Sequence, residues 1–548
     1  MPNLRTLLGT FSFFFLGTLS LSAQNVTNQY FTPAMQKMQI AQMAIRALYV
    51  DTVNENKLVE EGIRAMLLDL DPHSAYSDPV EVKELNEPLQ GNFDGIGVQF
   101  QMMDDTLLVI QTVADGPSEK VGILAGDRIV LVNDSSIAGQ KMSNRDIVSR
   151  LRGAKGTAVR LSILRRGVIG LIPFVVIRDQ IPINSITAHY LVTPTIGYIR
   201  IDRFAATTHE EFLKAVADLR DKGMKDLIID LESNGGGYLN AAIDMANEFL
   251  DKNQVIVYTE GRAQPRSDFF AHGNGTLRNI RVVVMVNDYS ASASEIFSGA
   301  LQDWDRGVIV GRRTFGKGLV QRPINLPDGS MIRLTTARYY TPAGRCIQKP
   351  YEKSKKGKEE YLDDIELRFK HGEMMNADSI HFADSLKCYT HKLHRTVYSG
   401  GGIMPDVFVP LDTTENTMYY RKLVAYGLQF KAASRYVDNH REELKTRYSS
   451  VDQFKNQFEV PEELLEEMKK DAQEKKVEFN ETQYSLSKAL IKHQIKGLIA
   501  RDIWGMNAFF EIANQRSKSY LKAVRILQDG AYEGVLVAPK TAPKNKKK

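Results

Sequence analysis

Hydrophobic residues recur at helical spacing near both ends of the chain. Met35, Met38, Ala41, Ile45 and Leu48 lie three or four residues apart, which predicts an amphipathic helix, and similar spacing continues until Pro72 ends it. The pattern returns beyond residue 413, most clearly in residues 418–436 and 486–510. We therefore predict an N-terminal helical region at residues 24–84 and a C-terminal helical region at residues 413–548, which ends in a basic tail.

A different pattern occupies residues 85–180. Short apolar runs alternate with glycine-containing turns, and two short helical stretches interrupt them. This order resembles a PDZ domain. Gly95, Ile96, Gly97 and Val98 match the loop with which PDZ domains hold a terminal carboxylate through successive backbone N–H groups. The alternative is a β-rich domain that binds nothing.

Strands and helices alternate in residues 181–412, which predicts an α/β domain. Residues 227–231 and 282–286 have the continuous apolar sequence of buried strands. Residues 347–398 are polar and charged, and we expect them to leave the core.

The first residues are typical of a secretory leader. Arg5 precedes an apolar run of about 15 residues, and the small residues Ser22 and Ala23 follow it. The run is shorter than the roughly 20 apolar residues that a membrane-spanning helix needs. We therefore predict a signal peptide at residues 1–23 and a mature protein without a stable membrane span. It would reside in the periplasm of a Gram-negative cell or in the cell envelope; an uncleaved anchor is the alternative.

Composition changes this picture little. With 43% hydrophobic and 25% charged residues the chain is typical of soluble globular proteins. The lysine clusters behind the net charge of +5 have no interleaved aromatic residues, so we exclude a nucleic-acid partner. Cys346 and Cys388 are the only cysteines, and the sequence leaves open whether they pair.

Candidate chemistry begins after the apolar run 282–286. Ser290, Ser292 and Ser294 alternate with alanines where a helix is predicted to start. Hydroxyl residues at that place usually cap the helix. The same place stabilises developing negative charge, which suits a nucleophile. The pattern alone leaves all three serines open.

A serine nucleophile needs a base, and Lys317 lies between two glycines at a predicted turn. A lysine can accept a proton only when it is neutral, so burial would have to lower its pKa. Gln321 follows four residues later and lies on the same face if the chain there is extended. Gly236 and Gly237 end the other buried strand, where bare backbone N–H groups could bind an oxyanion.

Several segments together resemble the C-terminal processing peptidases, a family of Ser–Lys peptidases. The resemblance covers roughly residues 35–412 and rests on motifs in the same order at residues 71–74, 95–98, 290–296, 314–321, 326–330, 339–345 and 401–406.

This resemblance implies a role for each matching residue. Ser292 is the nucleophile, because the 25-residue interval to Lys317 is the family's spacing; Lys317 is the base and Gln321 its orienting partner. The oxyanion site consists of the N–H of Ala293 with that of Gly237 or Gly236, of which we prefer Gly237. The implied fold is a crotonase-like α/β protease core at residues 181–412 with an inserted PDZ domain. No metal or cofactor is needed.

The expected function is that of an exported serine endopeptidase, which cleaves proteins near unstructured, apolar C-termini through an acyl-enzyme. One rival is a Ser–His peptidase with His189 or His272 as base. The other is a non-catalytic PDZ chaperone or scaffold outside the cytoplasm. For the C-terminal helices, homo-oligomer contacts and binding of an adaptor both stay open.

Overall fold

The structure, a computed structural model, describes residues 32–537 and contains two units that meet between Leu70 and Asp71. The predicted signal peptide and the basic C-terminal tail lie outside the described residues. The first unit consists of helices α1 (Pro33–Leu48) and α2 (Glu55–Leu68). Thr32 and Asn54 cap their N-termini through side-chain oxygens, as polar residues at this position commonly do.

The second unit contains every other element. Its helices are α3 (Pro79–Gln90), α4 (Pro117–Lys120), α5 (Asn144–Leu151), α6 (Thr208–Asp221), α7 (Leu239–Asn247), α8 (Ala293–Asp303), α9 (Lys355–Lys370), α10 (Met418–Ala425), α11 (Leu428–Arg447), α12 (Val451–Gln457), α13 (Glu462–Glu474), α14 (Glu481–Trp504), α15 (Met506–Ala513), α16 (Lys518–Gln528) and α17 (Ala531–Val535). Its strands are β1 (Ala75–Ser77), β2 (Asn92–Gly95), β3 (Val98–Met103), β4 (Thr106–Thr112), β5 (Arg128–Val132), β6 (Ser135–Ser136), β7 (Ala158–Leu164), β8 (Leu171–Ile177), β9 (Asp179–Pro182), β10 (Ile186–Thr193), β11 (Ile196–Ile201), β12 (Asp226–Asp230), β13 (Val255–Gly261), β14 (Gln264–Phe270), β15 (Arg281–Val286), β16 (Val308–Gly311), β17 (Leu319–Asn325), β18 (Met331–Tyr340), β19 (Lys387–Tyr389), β20 (Thr396–Tyr398) and β21 (Val407–Phe408).

A six-stranded sheet forms the centre of the α/β domain predicted at residues 181–412, with strand order β10-β11-β12-β15-β16-β21. All neighbours are parallel except the β10–β11 pair. Helices α6, α7 and α8 cover one face and bury Phe212, Met245 and Phe297 against it. Strands β12 and β15 are buried along their length, as their continuous apolar sequence predicts, and their carboxyl ends lead into the candidate site.

A second sheet carries the other half of the site. β17 and β13 both pair with the long strand β18, β14 pairs with β13, and β1 pairs with residues 331–333 at the start of β18. The predicted N-terminal helical region, residues 24–84, also contains the strand β1, in which Tyr76 and Ser77 are buried by the pairing with β18.

The PDZ-like domain contains a separate sheet, with order β3-β4-β5-β7-β8 and β6 on β5. Its core is apolar and includes Leu107, Ile129 and Ile147. Among the described residues, β3 has β4 as its one neighbour in the sheet, so its other edge is free. The β2–β9 pair joins the two ends of this domain where it meets the α/β domain.

The C-terminal region has two parts with different roles. Helices α10 to α15 share their own core, to which Leu465, Ile491 and Ile499 belong. Helix α16 instead covers the second face of the central sheet, where Ala523 and Ile526 contact the outward side chains of its strands. Helix α16 therefore completes the core of the α/β domain.

The polarity of residues 347–398 predicts that they leave the core, but part of this segment is buried in it. Ile347 is fully buried in the main core, and α9 buries Tyr361 and Arg368 against the loop that carries Lys317. Cys346 and Cys388 are not bonded to each other. Within residues 32–537, no helix combines the length and apolarity that crossing a membrane would require.

Candidate active site

Ser292 lies at the turn from β15 into α8, and its backbone has a φ of +57°. The two neighbouring serines have structural roles. The Ser290 hydroxyl donates to the carbonyl of Leu231 (2.7 Å), and the Ser294 hydroxyl donates to that of Asn234 (2.9 Å). Ser292 is the one of the three that lines the large cleft of this domain. The structure thus separates the serines that the sequence pattern alone leaves equivalent.

Lys317 lies in the loop before β17 and lines the same cleft. Its Nζ donates to Oε1 of Gln321 over 3.2 Å. Burial lowers the pKa of Lys317, and the positive charge of Arg333 lowers it further, while Glu295 and Asp71 oppose the shift. A lysine in this environment is suited to accept a proton.

The amide of Gln321 has a fixed orientation. Its Nε2 donates to the backbone carbonyl of His73, so Oε1 faces the lysine. The segment around His73 is in turn held by Asp71, whose carboxylate accepts from the N–H of His73 (2.8 Å) and from both the N–H (2.9 Å) and hydroxyl (2.6 Å) of Ser74. Burial, with a further contribution from nearby Lys317, lowers the pKa of His73 to about 3, so its ring is neutral at ordinary pH.

The buried carboxylate of Glu295 connects the segment of Ser292 to the segment of Lys317. Its Oε2 accepts from the backbone N–H of Ser292 (2.8 Å) and of Lys317 (2.9 Å). Its Oε1 accepts from the N–H of Gly316 (2.7 Å) and from the hydroxyl of Thr314. Burial raises the pKa of Glu295, and these four donors oppose that shift.

Gly236, in the turn after β12, lies directly against Ser292. The N–H of Gly236 already donates to Oδ1 of Asn234 (2.8 Å), so it is not available to a substrate. Within the described residues, the N–H groups of Gly237 and Ala293 have no assigned acceptor, and both residues line the cleft. Of the two predicted glycine donors, the geometry therefore favours Gly237, whose φ of +151° and contact with Phe204 exclude a side chain.

The cleft has a volume of about 670 Å³. Ser292, Lys317 and Gln321 line it together, and Leu239, Ile296, Leu319 and Val320 supply apolar surface beside them. The hydroxyl of Tyr339 lies within hydrogen-bond distance of the carbonyls of Ser292 (3.1 Å) and Lys317. An extended apolar peptide segment fits such a lining.

The predicted carboxylate loop lies elsewhere, in the PDZ-like domain. Gly95, Ile96, Gly97 and Val98 line a separate groove of about 100 Å³. Strand β3 forms one side of this groove and α5 the other, with Phe100, Val148, Leu151 and Arg152 completing the lining. The free edge of β3 is thus placed for pairing with an added strand.

The histidines proposed for a Ser–His site lie away from the cleft. His189, on β10, faces Asp218 on α6 (3.3 Å), and the backbone N–H of His272 donates to Oδ1 of Asn247. His209 does line the cleft, where its ring contacts Glu248 (3.0 Å), and this hydrogen bond raises its pKa. In the described part of the chain, no group of three or more His, Cys, Asp or Glu side chains could hold a metal ion.

Sequence reasoning missed the roles of Glu295, Asp71 and His73 in this site. One signal was present for Glu295, because a serine followed three residues later by glutamate is the spacing of a capping box. The contact with His73 carries no sequence signal, because it uses a backbone carbonyl and every residue has a backbone carbonyl.

Three stretches of the chain match known families. The model of peptidase family S41 matches residues 195–353, and a PDZ domain model matches residues 95–170. Residues 419–505 match a family of unknown function (DUF8443).

Two of the proteins that are similar to this chain are named after a proteolytic activity. A carboxy-terminal-processing protease of Bartonella bacilliformis is 37% identical over 340 residues, which cover 59% of this chain and 77% of that protein. The carboxy-terminal processing protease CtpA of Bacillus subtilis is 36% identical over 314 residues, 57% of this chain and 66% of the relative. The solved structure of a photosystem II D1 C-terminal processing protease aligns over 58% of this chain and 91% of its own, with 29% identity; its TM-score of 0.33 is too low to support a structural argument.

These similarities define the class as a serine-type peptidase with a PDZ domain. The chain belongs to peptidase family S41, among the C-terminal processing proteases. This confirms the family predicted from the sequence.

Proposed function

We propose that this chain is an endopeptidase that uses Ser292 as nucleophile and Lys317 as base. The observation that carries the proposal is that Glu295 binds the backbone N–H of both residues while both line one cleft. The lowered pKa of Lys317 and its contact with Gln321 give further support.

The chemistry proceeds in two halves. Neutral Lys317 takes the hydroxyl proton of Ser292 as Oγ attacks the peptide carbonyl carbon, and the N–H groups of Ala293 and Gly237 bind the oxyanion. The C–N bond then breaks as the Lys317 ammonium gives its proton to the leaving amine, which leaves an acyl ester on Ser292. Water, deprotonated by the same lysine, hydrolyses this ester and regenerates the serine.

The PDZ-like domain would select the substrate. An unstructured, apolar protein C-terminus would add as a strand to β3, with its carboxylate on the loop from Gly95 to Val98. The groove, the free edge of β3 and the apolar lining at Phe100 support this step. The leader-like first residues support export to the periplasm or cell envelope.

The active-site assignment is tested with the full chain and an unfolded casein substrate. Ser292→Ala and Lys317→Ala should each lose at least about 10³-fold in kcat, because the nucleophile and base act as a unit. Ser298→Ala is the matched control, since Ser298 lies in the same helix and its hydroxyl donates to the Ser294 carbonyl. Cleavage by the Ser292 variant at the wild-type rate would overturn the proposal, and binding without cleavage by the wild type would favour a scaffold.

Substrate selection is tested with one peptide made with a free or an amidated C-terminus. The free form should be cleaved at a lower KM. Phe100→Asp should abolish this preference because it places a charge in the groove, whereas Gln99→Asp, one position along β3 and exposed, should retain it. Equal cleavage of both peptides by the wild type would count against C-terminal recognition.

A further inference from the structure

Helix α9 lies beyond the residues that the S41 family model matches, yet it packs against the loop of Lys317. Gly357, Tyr361, Asp364 and Arg368 are spaced by four, three and four residues, which places them on one helix face. Gly357, Tyr361 and Arg368 are buried and Asp364 is half-buried, so this face is the inner one.

Arg368 fixes the main chain just before the candidate base. Its Nη1 donates to the carbonyl of Thr314 (2.8 Å) and its Nη2 to that of Phe315 (3.0 Å). The guanidinium is a rigid fork, so two bonds from one side chain constrain two consecutive peptide planes. Glu295 binds the N–H of Gly316 and Lys317 that follow, so the loop is held through its carbonyls and its N–H groups by different side chains.

Tyr361 reaches the other partner of the base. Its hydroxyl hydrogen-bonds Nε2 of His73 (2.8 Å), and the His73 carbonyl accepts from Gln321, which contacts Lys317. The same hydroxyl accepts from Nε2 of Gln348 (3.1 Å), whose Oε1 accepts from the N–H of Gly318 (2.8 Å). Tyr361 is therefore connected to Lys317 through Gln321 and through the next residue in the loop.

An ion pair between Lys349 and the half-buried Asp364 holds the helix against the loop of Lys317. Lys349 donates to the carbonyl of Tyr361 (3.0 Å) and pairs with Asp364 (2.9 Å), which also faces Nε of Arg368 (2.8 Å). The Lys349 ammonium lies 4.0 Å from the ring centroids of both Phe315 and Tyr361. These contacts leave the helix face little freedom to shift along the loop.

We propose that α9 is a positioning helix for the base, in which Arg368 and Tyr361 hold Lys317 and Gln321 in their working arrangement. The inference rests on the proposed function, since it requires Lys317 to be the base. Neither residue lines the cleft, so both act through the groups they hold.

The test measures kcat, KM and the pH profile of kcat/KM for the full chain on a peptide substrate. Arg368→Gln should lower kcat about 10- to 100-fold with KM nearly unchanged, because a small displacement of a catalytic group has effects of this size. The acidic limb of the profile, where kcat/KM falls as Lys317 becomes protonated, should move to higher pH. A loosened loop would admit water to the Lys317 ammonium and so raise its pKa. The fixed charges facing that ammonium, Arg333, Glu295 and Asp71, are the same in every variant. Lys370→Gln is the matched control, because it removes one positive charge from the exposed side of α9.

Tyr361→Phe keeps the ring and removes only the hydroxyl, so it decides the question if Arg368→Gln does not fold. It should lower kcat several-fold and move the acidic limb in the same direction. The proposal would be overturned if the folded variants keep kcat within twofold of wild type and the acidic limb of their kcat/KM profile does not shift. The proposal would also be overturned if the variants only lower the amount of active protein, while the protein that remains has the acidic limb of the wild type. Activity in Lys317→Ala would instead refute the proposed function, whatever the α9 variants show.

Discussion

Glu295 binds the backbone N–H of Lys317 over 2.9 Å through the same carboxylate oxygen that binds the N–H of Ser292 over 2.8 Å. A single buried side chain therefore sets the separation of two segments that lie 25 residues apart in sequence. Apart from the hydroxyl of Thr314, the donors to this carboxylate are main-chain N–H groups.

Glu295→Gln should impair both stability and activity. An amide has one oxygen, so either the pair of N–H groups at Oε2 or the N–H of Gly316 would face another donor. We expect a loss of about 1–3 kcal/mol in unfolding free energy, which is the usual effect of a buried unpaired group, and a lower kcat. Denaturant unfolding and kcat measurements check this. Glu210→Gln, which removes an exposed carboxylate on α6, should leave both values unchanged.

Gln321→Glu should move the pH dependence in a defined direction. A carboxylate beside the Lys317 ammonium stabilises its charged form and raises its pKa. Because the base must be neutral, the acidic limb of kcat/KM should move to higher pH. Activity on the acidic side should fall about tenfold for every pH unit by which the limb moves. In the wild type, the limb should lie below the ordinary lysine value of 10.5. An unshifted limb in this variant would show that another group titrates.

Gly236→Ala should inactivate the enzyme, whereas Gly235→Ala should not. A Cβ at Gly236 would lie 2.7 Å from both the Cβ of Ser292 and the carbonyl oxygen of Ala291, on a backbone with a φ of +99°. At Gly235 it would meet nothing within 4 Å. Rates for the two folded variants check the prediction, and equal activities would mean that the turn can shift without moving the serine.

Truncation after residue 412 should destroy the protease domain. It removes α16, and with it the cover over the second face of the central sheet. Ala523→Glu should have a similar effect on melting temperature, because Ala523 is fully buried in that contact, while Lys522→Glu on the exposed side should not. A folded, active fragment ending at residue 412 would contradict this account of α16.

The sequence predicted most of the parts that follow local rules. Strands β12 and β15 agree within one residue with the predicted apolar runs 227–231 and 282–286, and α8 begins at Ala293, among the three candidate serines, because a continuous apolar run or a turn of small residues marks these ends. Ser292, Lys317, Gln321, Ala293 and Gly237 also meet in one cleft, as the family resemblance implies.

What the sequence did not predict depends on contacts between distant segments. The role of α9 is an example: a charged, weakly amphipathic sequence is typical of a solvated helix, and only the fold shows that Arg368 ends on two buried carbonyls. The N–H of Gly236 is another example. It donates to the side chain of Asn234, and that side chain is oriented by its own hydrogen bond to the carbonyl of Ile201 in β11.

The backbone of Ser292, with φ +57° and ψ −114°, has a consequence for how this chain changes over generations. A residue with a side chain in such a sparsely populated region costs about 1–3 kcal/mol, which glycine would relieve. Glycine has no hydroxyl, so under the proposed function the substitution that most improves folding at this position would also end catalysis. A lineage released from the need to cleave peptides should therefore lose this serine early, while retaining the fold around it.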